Sequence, residues 1–77
     1  VKVPSLTPVD SSNLQAIGFS AAGLFVRFKG GGLYRYPEVP RVVFDRGMDA
    51  ESKGKWFRAE IAGHYKHVTV DEPVDAG

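Results

Sequence analysis

A chain of 77 residues, 43% of them hydrophobic, holds one core and has no room for a second. It has no cysteine, which excludes disulfides and thiolate metal sites and fits a reducing compartment such as the cytoplasm. No stretch approaches the length of a transmembrane helix, no signal peptide is expected, and the net charge of +1 is silent on partners.

Residues 1–8 carry two prolines and no period, and are expected to form an extended, flexible arm. One domain then spans 9–70. Its first strand signal is residues 14–19, LQAIGF, ahead of the turn-like Ser20-Ala21-Ala22-Gly23. Residues 24–28 alternate, with Leu24, Val26 and Phe28 on one face and Phe25 and Arg27 on the other. Lys29-Gly30-Gly31-Gly32 breaks the run, and a tight hairpin is expected there. The third strand, Leu33 to Tyr36, stops at Pro37.

The period then changes. Pro40 suits the first turn of a helix over 40–46, and Gly47 reads as its C-terminal stop. Ser52 reads as the N-cap of a second helix, in which Phe57, Ile61 and Tyr65 form one buried stripe. Residues 67–70, HVTV, suit a short extended segment, and 71–77 an acidic, disordered tail. The expected fold is α+β: a three-stranded antiparallel β-meander packed on one face by two α-helices, with flexible N- and C-terminal arms.

The order of these features carries a resemblance. Ser11-Ser12-Asn13-Leu14 precedes Ile17-Gly18-Phe19; Leu24-Phe25-Val26-Arg27-Phe28, a glycine turn and Tyr34-Arg35-Tyr36 follow. Val39-Pro40 precedes the first helix, and Ala50-Glu51-Ser52-Lys53-Gly54-Lys55-Trp56-Phe57 enters the second. Over roughly residues 9–66 this resembles the KTSC domain. That family is named for its place at the C-terminus of some lysyl-tRNA synthetases, and it also occurs as a stand-alone small protein in bacteria and phages. The resemblance implies a small sheet with helices and an RNA-binding role, and it brings no catalytic residues. Gly47-Met48 departs from the aliphatic residue the family pattern has near the end of the first helix, which puts helix length in question.

Candidate binding residues fall in two groups. Tyr34 and Tyr36 share a strand face, either exposed to stack on bases or packed beneath the helices; the second is favoured for at least one of them. Arg35 then lies on the opposite face with Arg27 and Phe25, a basic and aromatic surface suited to phosphate contacts. The second group is the helix start, where Ser52, Lys53 and Lys55 suit an anion, or are a plain cap with solvated lysines. Trp56 beside it is either an exposed interaction anchor or a shield for the core edge, and Arg58 adds charge. The charge balance is compatible with an anionic partner, since residues 11–70 hold nine basic and five acidic groups; on charge alone ordinary surface charge is the favoured reading. His64 and His67, without cysteine, do not suggest a metal site, and no spacing suggests a nucleophile with its base.

The expectation is a non-enzymatic, monomeric cytoplasmic binding module without membrane, metal or small-molecule cofactor. Its partner is RNA, held by Arg27, Tyr34, Arg35, Tyr36, Lys53, Lys55, Trp56 and Arg58. The alternative is a phage- or bacterium-encoded regulator of transcription that docks on a host protein machine such as RNA polymerase, in the host cytoplasm if phage-encoded. On that view, deleting residues 1–8 weakens docking and leaves the fold intact.

Overall fold

The computed structural model describes residues 3–70. It is an α+β fold with one antiparallel sheet of five strands, in the order β1-β2-β3-β4-β5. The strands are β1 (Thr7–Pro8), β2 (Leu14–Ser20), β3 (Gly23–Phe28), β4 (Leu33–Tyr36) and β5 (Val68–Thr69). Between β4 and β5 lie α1 (Arg41–Asp49) and α2 (Lys53–Trp56), the latter continuing as a π-helical turn over Phe57–Ile61. No helix of the described residues is long and apolar enough to cross a membrane.

The central meander follows from alternation. Ile17 lies opposite Val26, Phe19 opposite Leu24, Val26 opposite Tyr34 and Leu24 opposite Tyr36. Partners across a ladder share a face, so these side chains form one apolar surface. The helices cover it: Val43 of α1, Trp56 of α2 and Ile61 of the π turn are buried with Leu14, Ile17, Leu24, Val26 and Tyr36. Full burial of such side chains stabilises the fold by roughly 1.5–3 kcal/mol each.

The count of three strands is corrected to five. β1 and β5 are two-residue edge strands. The expected flexible arm is instead joined to the sheet at its C-terminal end, and its residues 1–2 lie outside the described residues: Thr7 lies opposite Ile17, Pro8 opposite Ala16, and the Val9 N–H donates to the Gln15 carbonyl at 3.1 Å. Proline is tolerated there because the outer edge needs no donor. Leu6 fits over Gly18, where a Cβ would come within 2.8 Å of both Leu6 Cδ2 and the Ser5 carbonyl. Ser11 then turns the chain into β2, its Oγ accepting from the Asn13 and Leu14 amides, each at 3.3 Å. At the other end, β5 lies within the segment expected to be extended. The expected disordered tail, 71–77, lies outside the described residues.

Two helix expectations also change. Gly47 does not end α1, which runs on to Asp49. It is buried inside the helix, with the Trp56 indole where its Cβ would be. Ser52 does cap α2, accepting from the Lys55 amide at 3.2 Å. Beyond Trp56 the helix widens: the Ala62 N–H donates to Phe57 O, five residues back, at 2.9 Å. Five residues of α-helix would leave Trp56 and Ile61 roughly 140° apart. The wider π turn brings both to the core, where each is buried. Gly63, at φ 80°, ends the segment.

Candidate nucleic-acid interface

The sheet face expected to be open is largely closed. Phe25 has no exposed surface, so it cannot stack on a base. It shares that face with the fully buried Leu33 and with Gly18, beneath Leu6 of the arm. Arg35 is half-buried and its Nη1 donates to the Ala22 carbonyl at 3.1 Å. Arg27 is half-buried and also engaged.

The helix start is committed to the fold as well. Lys53 Nζ donates to the carbonyls of Met48 at 2.8 Å and Ala50 at 2.5 Å, holding the end of α1. A cation there complements the negative end of the helix. Trp56 is buried rather than exposed, and its Nε1 donates to the Val43 carbonyl at 3.2 Å. Lys55 and Arg58 remain on the surface.

Tyr34 and Tyr36 face the helices. Tyr36 is buried and Tyr34 half-buried. They belong to a cluster of five rings at one end of the sheet. Phe28 lies 5.4 Å from Tyr34 and 5.5 Å from Phe57; His67 lies 5.1 Å from Tyr34 and 5.4 Å from Tyr36; Phe57 lies 5.8 Å from Tyr36. These are edge-to-face and tilted contacts at favourable separations. Phe28, Tyr34 and Phe57 are half-buried and His67 is exposed, so the cluster reaches the surface. Burial, and then the charge of Tyr34, raise the pKa of the Tyr36 hydroxyl above its usual 10.0.

The cations next to the cluster in the chain divide: Arg27 and Arg35 are engaged, and others are not. Arg41 pairs with Asp45 at 3.3 Å and Arg46 with Glu60 at 2.6 Å. Hydrogen bonding to Glu60 raises the Arg46 pKa further. Of the nine basic side chains of the described residues, only Lys29, Lys55, Arg58 and Lys66 then lack a hydrogen-bond or ion-pair partner among those residues. Three of these four adjoin a cluster ring in the chain: Lys29 follows Phe28, Arg58 follows Phe57, and Lys66 precedes His67. The carboxylates lie elsewhere. Asp49, Glu51 and Glu60 line a groove of about 570 Å³ between α1 and α2, with Arg46, Lys55 and Trp56. No three His, Asp or Glu side chains of the described residues are grouped to hold a metal ion.

Sequence reasoning singled out Tyr34, Tyr36 and Arg58 of this corner and missed Phe28, Lys29, Phe57, Lys66 and His67 as site residues. The parity of Phe28 with Leu24 and Val26 was a usable signal, since the same face continues through Tyr34 across the glycine turn. The approach of His67 depends on β5 pairing, which no local pattern announces.

Comparison with known proteins agrees with the fold. The KTSC domain model matches residues 10–65. A protein of Tsukamurella paurometabola is 37% identical over 67 residues, covering 84% of this chain and 100% of its own length. One from Stutzerimonas stutzeri is 33% identical over 66 residues, 82% of this chain and 93% of its own. The crystal structure of a KTSC domain protein from Yersinia pestis superposes with a TM-score of 0.81 at 30% identity, covering 87% of this chain and 97% of that one. With the family pattern matched over most of its length and the same fold in a solved relative, this chain belongs to the KTSC domain family.

Proposed function

We propose that this chain is a binding module for RNA, working without catalysis through the aromatic corner of the sheet. The observation that supports it is the coincidence of rings that reach the surface, half-buried Phe28, Tyr34 and Phe57 and exposed His67, with Lys29, Arg58 and Lys66, which adjoin them in the chain and have no partner among the described residues. Aromatic rings offer stacking to unpaired bases where their faces are open, and free ammonium and guanidinium groups offer phosphate contacts. Arg27, Arg35, Lys53 and Trp56 act in the fold on this reading, and Lys55 is peripheral.

The test is a titration of fluorescein-labelled RNA, followed by anisotropy at several salt concentrations. Three phosphate contacts give a slope of about −2 in log affinity against log salt for a single strand. Replacing Lys29, Arg58 and Lys66 together by alanine flattens that slope. A flat titration at micromolar protein overturns the RNA reading.

That outcome leaves a protein partner, for which a separate observation speaks. Val42 is 58% exposed and shares a stripe of α1 with Arg46 and Asp49, which line the groove. Three carboxylates against two cations there disfavour RNA and suit a protein surface.

A further inference from the structure

The turn joining β3 to β4 holds three consecutive glycines, and the fold needs only two of them. Gly31 and Gly32 have φ of 102° and 95°, a region that side chains rarely enter. Gly30 has no positive φ, and a Cβ built on it meets no atom within 4 Å. Each of the other glycines of the described residues has either a positive φ or a neighbour at its missing Cβ. A glycine at position 30 therefore adds conformational entropy to the unfolded chain with no return in packing or geometry.

Its position suggests what the bare backbone serves. The turn is held at Phe28: Gly31 N–H donates to the Phe28 carbonyl at 3.0 Å, and Phe28 N–H to the Gly32 carbonyl at 3.2 Å. It thus sits at the end of the ring cluster where Phe28 meets Tyr34. Lys29 is exposed and lacks a side-chain partner among the described residues, and its own N–H is used by the Asn13 carbonyl at 2.9 Å. The exposed Gly30 N–H has no acceptor among the described residues. A free main-chain donor without a side chain, next to a free ammonium and a ring edge, is a place where a nucleic-acid backbone can come close.

We infer that Gly30 is a ligand-contact residue: the phosphate of a single-stranded nucleic acid lies against its main chain and the Lys29 ammonium, while the adjoining base stacks at the Phe28–Tyr34 edge. This rests on the RNA reading above and adds to it the strandedness of the ligand and the point of closest approach. The rings are half-buried between the strand end and the π turn. A base reaches them only when it is splayed from its neighbours, which a duplex does not allow.

The experiment compares the wild type, Gly30→Ala and Gly30→Ser, each titrated with labelled oligouridylate and with the same strand annealed to oligoadenylate. Thermal unfolding of all three proteins is followed in parallel. Both variants are expected to unfold at or slightly above the wild-type midpoint. They are expected to bind the single strand roughly tenfold more weakly, the worth of one hydrogen bond to a charged acceptor. Wild type prefers the single strand to the duplex. If wild type binds and both variants bind equally well, or if the duplex binds as tightly as the single strand, this inference is overturned while the RNA reading stands. If wild type binds neither probe, both fall together.

Discussion

Gly47 stands in the interior of a helix, where glycine is a poor choice by about 1 kcal/mol against alanine. Trp56 explains it. The indole rests on the bare backbone of α1, and its Nε1 reaches the Val43 carbonyl. Any side chain at 47 would displace that ring. Gly47→Ala is therefore expected to destabilise the protein by about 1–3 kcal/mol, the usual penalty of overpacking, although alanine is the better helix former. Urea unfolding measures this directly. In a Trp56→Leu background the penalty shrinks, since the ring it collides with is gone. A gain in stability from Gly47→Ala in the wild type would mean that the indole moves aside freely. From the sequence this glycine resembles a helix stop, because it follows a short apolar run with a proline start. Its role is set by a tryptophan nine residues on, in another element, and only their packing together reveals it.

Among the elements, the central meander was readable because alternation and glycine turns are local signals. β2, β3 and β4 occupy the expected segments to within a residue. β1 was not readable as a strand, and for β5 only the extended segment was readable and not its pairing, since a two-residue pairing has no period and is decided by the edge it meets. The π turn was hidden for a similar reason: Phe57, Ile61 and Tyr65 fit an α stripe, while Trp56, one position off it, needs a wider turn to be buried. The arm carries a consequence for the expectation that deleting residues 1–8 weakens docking and leaves the fold intact. Leu6 over Gly18 and the Val9 amide on Gln15 make it part of the sheet, so deletion exposes an edge and costs stability. A finer probe is Gly18→Ala. Its methyl would meet Leu6 and the Ser5 carbonyl, lifting the arm from β2. Amide hydrogen exchange is then expected to accelerate at Val9, while amides of α1 keep their protection. Unchanged exchange at Val9 would show that the arm accommodates the methyl in place.

The molecule as a whole is divided by charge and by ring content. Five of the six carboxylates of the described residues fall between 38 and 60, while the glycine turn and the ring cluster carry none. Net charge over 11–70 is compatible with an anionic partner but does not say where its contacts would lie; that depends on which cations the fold consumes. Tyr36 joins the parts. It pairs with Leu24 in the sheet and touches Phe57 of the π turn and His67 ahead of β5. Its hydroxyl therefore reports on cooperative unfolding. Burial raises its pKa in the folded state, and the nearby Tyr34 adds to this. Below the usual tyrosine value both folded and unfolded chains hold the proton, and the full stability is present. Above about pH 10 the unfolded chain releases it first, so stability falls as pH rises through the folded value. Denaturant midpoints measured on either side of pH 10 are expected to drop for the wild type. The informative quantity is the difference from Tyr36→Phe, which has no hydroxyl to ionise there. That variant should lose less stability over the same interval. Parallel declines in the two proteins would mean that Tyr36 ionises in the fold as freely as in the open chain, and that the corner joining sheet, π turn and β5 is wetter than its packing implies.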